Sequence, residues 1–347
     1  MGITKRGVQI ALGILWLLDG VLQLQHQMFT SAFVSQVIRP TESGQPTFVT
    51  GPINFGVHIF LLHPAIFNGL FALTQIAIGT LILWRKTLRQ GLILSVLWGL
   101  IVWIFGEGYG GIFSGHTLLL MGAPGAALIY VLLSLAVLPK SDEKNKDKSQ
   151  IAYWIVFVWL VIWVGGGIYQ LLPGQNSTME QGTMIVGNAD GAPTWLSKVD
   201  TKTGNFINNL GNKEATVTTP TQIANKMNMT GTQMTHMTVI IYSSSSSNGY
   251  WFILLTAVLQ CFIGIGALIV GSWRKTAIYL GIGLALVFWL VGENLGGYYT
   301  GFATDPNSGP LLILLGLAIL GCKDLDKKLT GFTKLLTIKI VGKSTTA

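Results

Sequence analysis

Long apolar segments separated by short polar ones run along most of the 347-residue chain. Several segments reach the roughly 17 to 25 residues that a helix needs to cross a bilayer. We therefore predict an all-α, polytopic membrane protein with eight transmembrane helices. The candidate spans cover residues 7–24, 65–84, 91–107, 120–138, 151–171, 250–271, 277–294 and 309–322.

Composition supports a membrane protein. Half of the residues are hydrophobic and only 10% are charged, compared with about 25% charged residues in soluble domains. The two cysteines, Cys261 and Cys322, lie within or beside predicted spans. They form neither a disulfide framework nor a metal-type cluster, so we predict no metal site from them.

The net charge of +8 follows from the predicted topology. With eight spans, all but five of the 22 Lys and Arg residues fall on one side, and such residues favour the cytoplasm. We expect a multi-pass protein of the cell membrane with both termini cytoplasmic, whose partners include membrane lipid but no nucleic acid. The five outer residues are Arg39, Lys198, Lys202, Lys213 and Lys226.

Three short patterns recur in the same order and divide the spans into two sets of four. An even number of spans per set gives both halves the same orientation, so the sequence predicts two parallel-repeated four-helix bundles. WRKT is expected to close the second span of each set. The matched segments are WLLDGVLQ (16–23) with WVGGGIYQ (163–170), WRKT (84–87) with WRKT (273–276), and GExxGGxxxG (106–115) with the same pattern at 292–301.

The repeats occupy residues 1–139 and 151–322, with a charged cytoplasmic linker at 140–150 and a basic cytoplasmic tail at 323–347. Each repeat has a long outer loop after its first span. In the first, residues 25–64 form this loop, in which TSAFVSQVI predicts a short interfacial helix.

In the second repeat, residues 173–249 are expected to form a small extracytoplasmic domain rich in strands and loops. TVTTPT (216–221) and HMTVIIY (236–242) are its strand candidates. The tripeptides NST (176–178) and NMT (228–230) are N-glycosylation sequons and agree with an outer, glycosylated location.

Ionisable residues within predicted spans are functional candidates because the bilayer makes them costly. They are Asp19, Glu107 and Glu293. Asp19 has Gln23 and His26 at helical spacings of four and three, which predicts that the three share one face. The corresponding position to Asp19 in the second repeat is Gly166, so the repeats differ chemically.

The two glutamates occupy matched positions, but only the first copy has a histidine, His116, nearby. We predict a polar cluster near the outer end of the first bundle, joined by His58 or His63. Its candidate catalytic residues are Glu107, Asp19, His26 and His116, and its candidate residues for a quinone or polar pocket are Gln23, His63 and Glu293.

Structural roles are open for the same residues. Each glutamate can accept backbone N–H bonds from the glycine turn that follows it, and Asp19 can form an interhelical hydrogen bond. No histidine spacing requires a pair of axial ligands, so haem or a metal is not expected.

The four-helix units resemble the DoxX/DoxD-like family of small membrane proteins. The resemblance rests on ILWLLDGVLQ, GLFALTQIAIGTLILWRKT and GEGYGGIFSG, and it covers each half without most of residues 173–249. The family includes the membrane subunit of archaeal thiosulfate:quinone oxidoreductase. The resemblance therefore implies a membrane protein that works with a quinone, in a form duplicated here.

Three functions fit these features. The first is a quinone-linked oxidoreductase or its membrane subunit, with thiosulfate as a candidate electron donor, in which Glu107, Asp19 and His26 handle protons. The second is a non-catalytic accessory or assembly subunit of a larger membrane complex, with the outer domain as its docking surface. The third is a proton-coupled small-solute transporter. We favour the first two, and the sequence does not choose between them.

Overall fold

The computed structural model describes residues 2–139, 150–211, 247–322, 325–327 and 329, and all secondary structure in this part is helical. We number the α-helices in chain order. They are α1 (Lys5–Leu22), α2 (Thr47–Leu62), α3 (Pro64–Leu83), α4 (Leu88–Phe105), α5 (Ala126–Ala136), α6 (Ile155–Tyr169), α7 (Thr178–Gly187), α8 (Thr194–Gly211), α9 (Ser247–Gly266), α10 (Ser272–Val287) and α11 (Ser308–Leu320).

A helix coincides with each of the eight predicted spans. Four apolar helical segments in the described part are long enough to cross a membrane: α3, α4, Gly249–Gly266 within α9, and Ser272–Gly292. The last of these continues α10 through a π-helical turn at Phe288–Gly292. α2, α5, α6 and α11 are apolar but shorter.

The helices of the two halves pack in the same order. In the first half α1 packs against α3, α3 against α4, and α4 against α5. In the second half α6 packs against α9, α9 against α10, and α10 against α11. α5, α6 and α11 meet at the junction, where one hydrophobic core continues from Leu133 to Trp159 and Leu315.

The two GExxGG segments have the same pattern of backbone hydrogen bonds. Each glutamate N–H donates to the carbonyl five residues earlier, at 2.9 Å, which ends the helix in a wide turn. The second residue after each glutamate, Tyr109 or Leu295, then takes a positive φ near 55° to 58°. The chain therefore reverses in the same way before α5 and before α11.

The predicted outer loop at 25–64 is wrong in part, because it contains the 16-residue helix α2. The helix contains Gly51 and Pro52, but it buries a stripe of apolar residues at spacings of four, four and three. The buried stripe is Val49, Ile53, Val57 and Phe60. The burial of this stripe outweighs the one backbone bond that Pro52 cannot make. The predicted interfacial helix corresponds to helical turns at 32–38.

The predicted strand-and-loop domain is wrong for residues 178–211, which form the helical hairpin α7–α8. The two helices pack closely at Gly182. A Cβ there would lie only 2.5 Å from the carbonyl oxygen of Gly204, so the contact requires glycine. The buried face of α8 includes Leu196 and Ile207 but also Asp200, Gly204 and Asn208, so the segment lacks the apolar run by which the other helices were predicted. Both strand candidates and the NMT sequon lie outside the described residues.

The second WRKT copy also differs from its prediction. Residues 84–87 follow α3 directly, whereas residues 273–276 lie in the first turns of α10. α5 begins at Ala126, after a turn with a cis peptide bond before Pro124, and is shorter than the predicted span 120–138. The linker and most of the tail lie outside the described residues.

Candidate functional site

A cavity of about 630 Å³ lies in the first half. Its walls come from α1, α2, α3, α4 and α5, and the loop before α11 in the second half closes one side. Along α4 the lining runs from Trp98 to Phe105, which is about 10 Å of helix. His116 and Ser43, both exposed, mark its outer rim. We call this space the carboxyl cavity, after Asp19, Glu107 and Asp305 in its wall.

Asp19 reaches the carboxyl cavity because α1 and α3 pack closely. A Cβ on Gly20 would lie 2.5 Å from the Ile76 side chain, so glycine is required for this approach. Asp19 is 1% exposed, and its Oδ1 atom has no close hydrogen-bond partner. Its carboxyl interacts with the Tyr130 hydroxyl on α5 without closing a normal hydrogen bond.

Gln23 lies one turn beyond Asp19 and is held by α3. Its Nε2 donates to Oδ1 of Asn68, and Nδ2 of Asn68 donates back to the Gln23 carbonyl at 2.8 Å. All of these groups are buried. The pair fixes the end of α1 against α3, so the structure gives Gln23 a positioning contact as well as a place in the cavity wall.

Glu107 follows α4 and binds the start of α5. Its Oε1 accepts a hydrogen bond from the Ala127 N–H at 3.0 Å, and its Oε2 is shielded without a partner. Gly125 has a φ of 100°, and a Cβ there would lie 2.2 Å from Oε2. Burial, and then the nearby Asp305, raise the pKa of Glu107 to about 8.

Glu293 makes the matching contact in the second half. Its Oε2 accepts from the Gly309 N–H at 2.8 Å, and burial raises its pKa to about 8. Glu293 does not line the carboxyl cavity. The glutamates therefore accept bonds from the first turn of the next helix, and not from the glycine turn that follows them.

Asp305 is a member of the site that sequence reasoning missed. It lies in the loop before α11, where its carboxyl accepts from the Thr304 hydroxyl and from the Asn307 N–H, both at 2.7 Å. From there it interacts electrostatically with Asp19 and Glu107. Burial raises the pKa of Asp305. The available signal was its position in TDPNSGP, directly before an apolar run.

The carboxyl cavity is acidic and lined by aromatic rings. None of its described lining residues is Lys or Arg, and His116 stands at its exposed rim. Trp98 lines the wall with its Nε1 donor shielded and unpartnered, and so does Gln75 with its Oε1 acceptor.

The structure brings together Asp19, Gln23, Glu107 and His116, but not the other predicted site residues. α1 ends at Leu22, so His26 begins a separate 3₁₀ turn, and its exposed side chain does not line the cavity. His63, between α2 and α3, is also exposed and outside it, as is His58 on α2. No group of three or more His, Cys, Asp or Glu side chains in the described part of the chain is arranged to hold a metal ion.

Comparison with known proteins adds no relative to this picture. No family model, no curated protein and no solved structure matches the chain.

Proposed function

We propose that this chain is a DoxX/DoxD-like, eight-span protein of the cell membrane, with two parallel repeats, both termini in the cytoplasm and residues 173–249 outside. The four long apolar helices, the shared order of helix packing and the distribution of Lys and Arg support this arrangement. A single residue, His63, separates α2 from α3, and α2 exposes Phe48, Phe55 and Leu62. It lies along the outer interface in this topology, which keeps the number of spans even.

Within this frame, the carboxyl cavity binds a quinone headgroup, and the chain is the membrane subunit of a quinone-linked oxidoreductase. The observation that carries this proposal is the unpartnered Trp98 N–H in an aromatic wall that ends in carboxyl groups. A quinone ring is flat and apolar, and its carbonyl oxygens accept hydrogen bonds. The Trp98 N–H is a donor for one of these oxygens, and the apolar wall covers the ring.

In this proposal the carboxyl groups transfer protons to the quinone. Reduction of a quinone takes up two protons and two electrons, and the electrons come from a redox group of a partner subunit in this proposal. The raised pKa of Glu107, about 8, keeps it protonated at neutral pH and able to donate. Asp305 and the exposed His116 continue the polar groups toward the outer rim.

Thiosulfate is not the proposed ligand of this cavity. It is a dianion, whereas the lining contributes three carboxyl groups and neither Lys nor Arg among its described residues. Without a cation to meet it, a dianion would lose its hydration on entering the cavity and gain no charge partner in return. If thiosulfate is the electron donor, it reacts at another subunit.

Quinone binding is measured on the purified full-length chain in detergent by quenching of tryptophan fluorescence with decylubiquinone. We expect saturable quenching because Trp16 lies in the cavity wall. Trp98→Phe keeps the ring but removes the donor, so it weakens binding about tenfold. Glu293→Gln, a glutamate variant outside the cavity, leaves binding unchanged. Absence of saturable quenching, or equal affinity of Trp98→Phe and the wild type, contradicts the proposal.

A role as an accessory subunit is the second candidate, and the hairpin α7–α8 favours it. Trp195 and Phe206 are both more than half exposed and lie on the same face of α8, eleven residues apart. Exposed aromatic residues on an otherwise polar helix are typical of a protein-binding surface. Purification from native membranes decides this point, since a chain that elutes alone has no such stable partner.

A further inference from the structure

The carboxyl cavity contains acidic groups without a compensating cation among the described residues. Asp19, Glu107 and Asp305 interact with one another, and no Lys or Arg is found in the described lining. Asp19 is 1% exposed and Gln75, from a different helix, is 7% exposed. Asp19 Oδ1 and Gln75 Oε1 are each buried without a hydrogen-bond partner. Shielded acceptors of this kind are costly unless a proton or a positive group meets them.

Aromatic rings line the same space. Phe60, Phe71 and Trp98 form a continuous row, with ring centroids 5.9 Å and 5.3 Å apart. Trp16 and Tyr130 also line the cavity, with ring centroids 4.5 Å apart and ring planes tilted by 37°. Aromatic faces attract alkylammonium groups through cation–π interactions, and carboxylates supply the opposite charge.

We propose that the carboxyl cavity is a binding site for an organic cation of the arylammonium class. The volume of about 630 Å³ suits a ligand of this size. The aromatic rows hold the apolar part and the methyl groups, and Asp19 and Asp305 neutralise the charge from two sides. This inference does not rest on quinone binding, although both ligands use one cavity and therefore compete.

A charged ligand and its neutral carbon isostere test this proposal directly. The probes are phenyltrimethylammonium and tert-butylbenzene, which differ in charge but hardly in shape. Binding to the full-length chain in detergent is measured by tryptophan quenching, and empty micelles correct for partitioning of the probes. We expect the cation to bind at least tenfold more tightly than the isostere, with an affinity that falls as salt is added.

Two isosteric variants test whether the aspartate carboxylates bind the charge of the cation. Asp19→Asn and Asp305→Asn each weaken cation binding about tenfold and leave binding of the neutral isostere unchanged. Glu293→Gln serves as the matched control and changes neither. Asp305 lies in a loop, so Asp305→Asn decides the point if Asp19→Asn does not fold. Equal affinity for the two probes overturns the proposal, as does a loss of both ligands in the aspartate variants.

The same preparations separate this inference from the proposed function. Trp98→Phe weakens decylubiquinone binding but keeps an aromatic face for the cation. A wild-type chain that binds the quinone but shows no preference for the cation rejects only the cation site. A chain that binds the cation but not the quinone rejects only the quinone proposal.

Discussion

Glu107 and Glu293 perform one structural task at matched positions. Each accepts a backbone N–H from the first turn of the following helix and leaves its other oxygen unpartnered. Such a contact satisfies one of the donors that every helix start leaves free, and it places negative or polar groups where the helix dipole favours them. The difference between them is location, because only Glu107 also faces the carboxyl cavity.

Glu293 makes stability depend on pH in a predictable direction. Burial raises its pKa from 4.5 to about 8. The folded chain keeps a proton that the unfolded chain releases, so the stabilisation is complete below about pH 4.5 and is lost as pH rises through about 8. We expect Glu293→Gln, which cannot ionise, to reduce the fall in melting temperature across this window.

A second variant separates charge from hydrogen bonding. Glu293→Ala removes the acceptor of the Gly309 N–H, which costs about 1–3 kcal/mol at every pH. Melting curves of the full chain in detergent, recorded from acid to alkaline pH, provide both measurements. A Glu293→Gln variant with the wild-type pH slope contradicts the assignment of a raised pKa to this residue.

At the scale of elements, the hairpin α7–α8 depends on glycine contacts. A Cβ on Gly182 would lie 2.5 Å from the Gly204 carbonyl and 2.3 Å from the Asn208 amide, and backbone cannot move aside easily. We expect Gly182→Val to separate the helices and to cost about 1–3 kcal/mol. Gly187 lies in the same helix with open space around it, so Gly187→Ala is the matched control and leaves stability unchanged or slightly higher.

Limited proteolysis of the purified chain measures the opening of this hairpin. Cleavage between α7 and α8 should become faster in Gly182→Val and stay at the wild-type rate in Gly187→Ala. Equal cleavage rates for the two variants would show that the close contact at Gly182 does not hold the helices together.

The helices at the eight predicted spans could be located from sequence because long apolar runs override local propensities. α2 and α8 could not, for opposite reasons. In α2, Gly51 and Pro52 are residue types common in turns, although they lie inside a helix with an apolar stripe. In α8, the buried face combines Leu196 and Ile207 with Asp200, Gly204 and Asn208, so the segment is too polar overall to stand out as an apolar run. Both are recognised only through the surfaces on which they pack.

At the scale of the whole molecule, the site combines both halves. Asp19 and Glu107 were predictable because they are ionisable residues within long apolar segments. Asp305 was not predictable from the sequence, because it lies in a loop of the second half. It reaches the carboxyl cavity through the packing of α11 against α5. The first half makes a corresponding contribution, because Leu118–Leu120 line a smaller apolar cavity of about 170 Å³ in the second half.

The proposed parallel repeat makes a definite prediction for the topology of the whole chain. In this proposal, four spans per repeat place the linker between the repeats in the cytoplasm and the hairpin α7–α8 outside. We expect Asn176→Cys, at an exposed position before α7, to react with a membrane-impermeant maleimide in intact cells. Ser141→Cys, in the linker, should react only after the cells are permeabilised. Cys261→Ser and Cys322→Ser remove the native thiols from both variants. Labelling of both new cysteines in intact cells means that residues 141 and 176 lie on the same side of the membrane, so no single span separates them, and the two four-span repeats are then rejected.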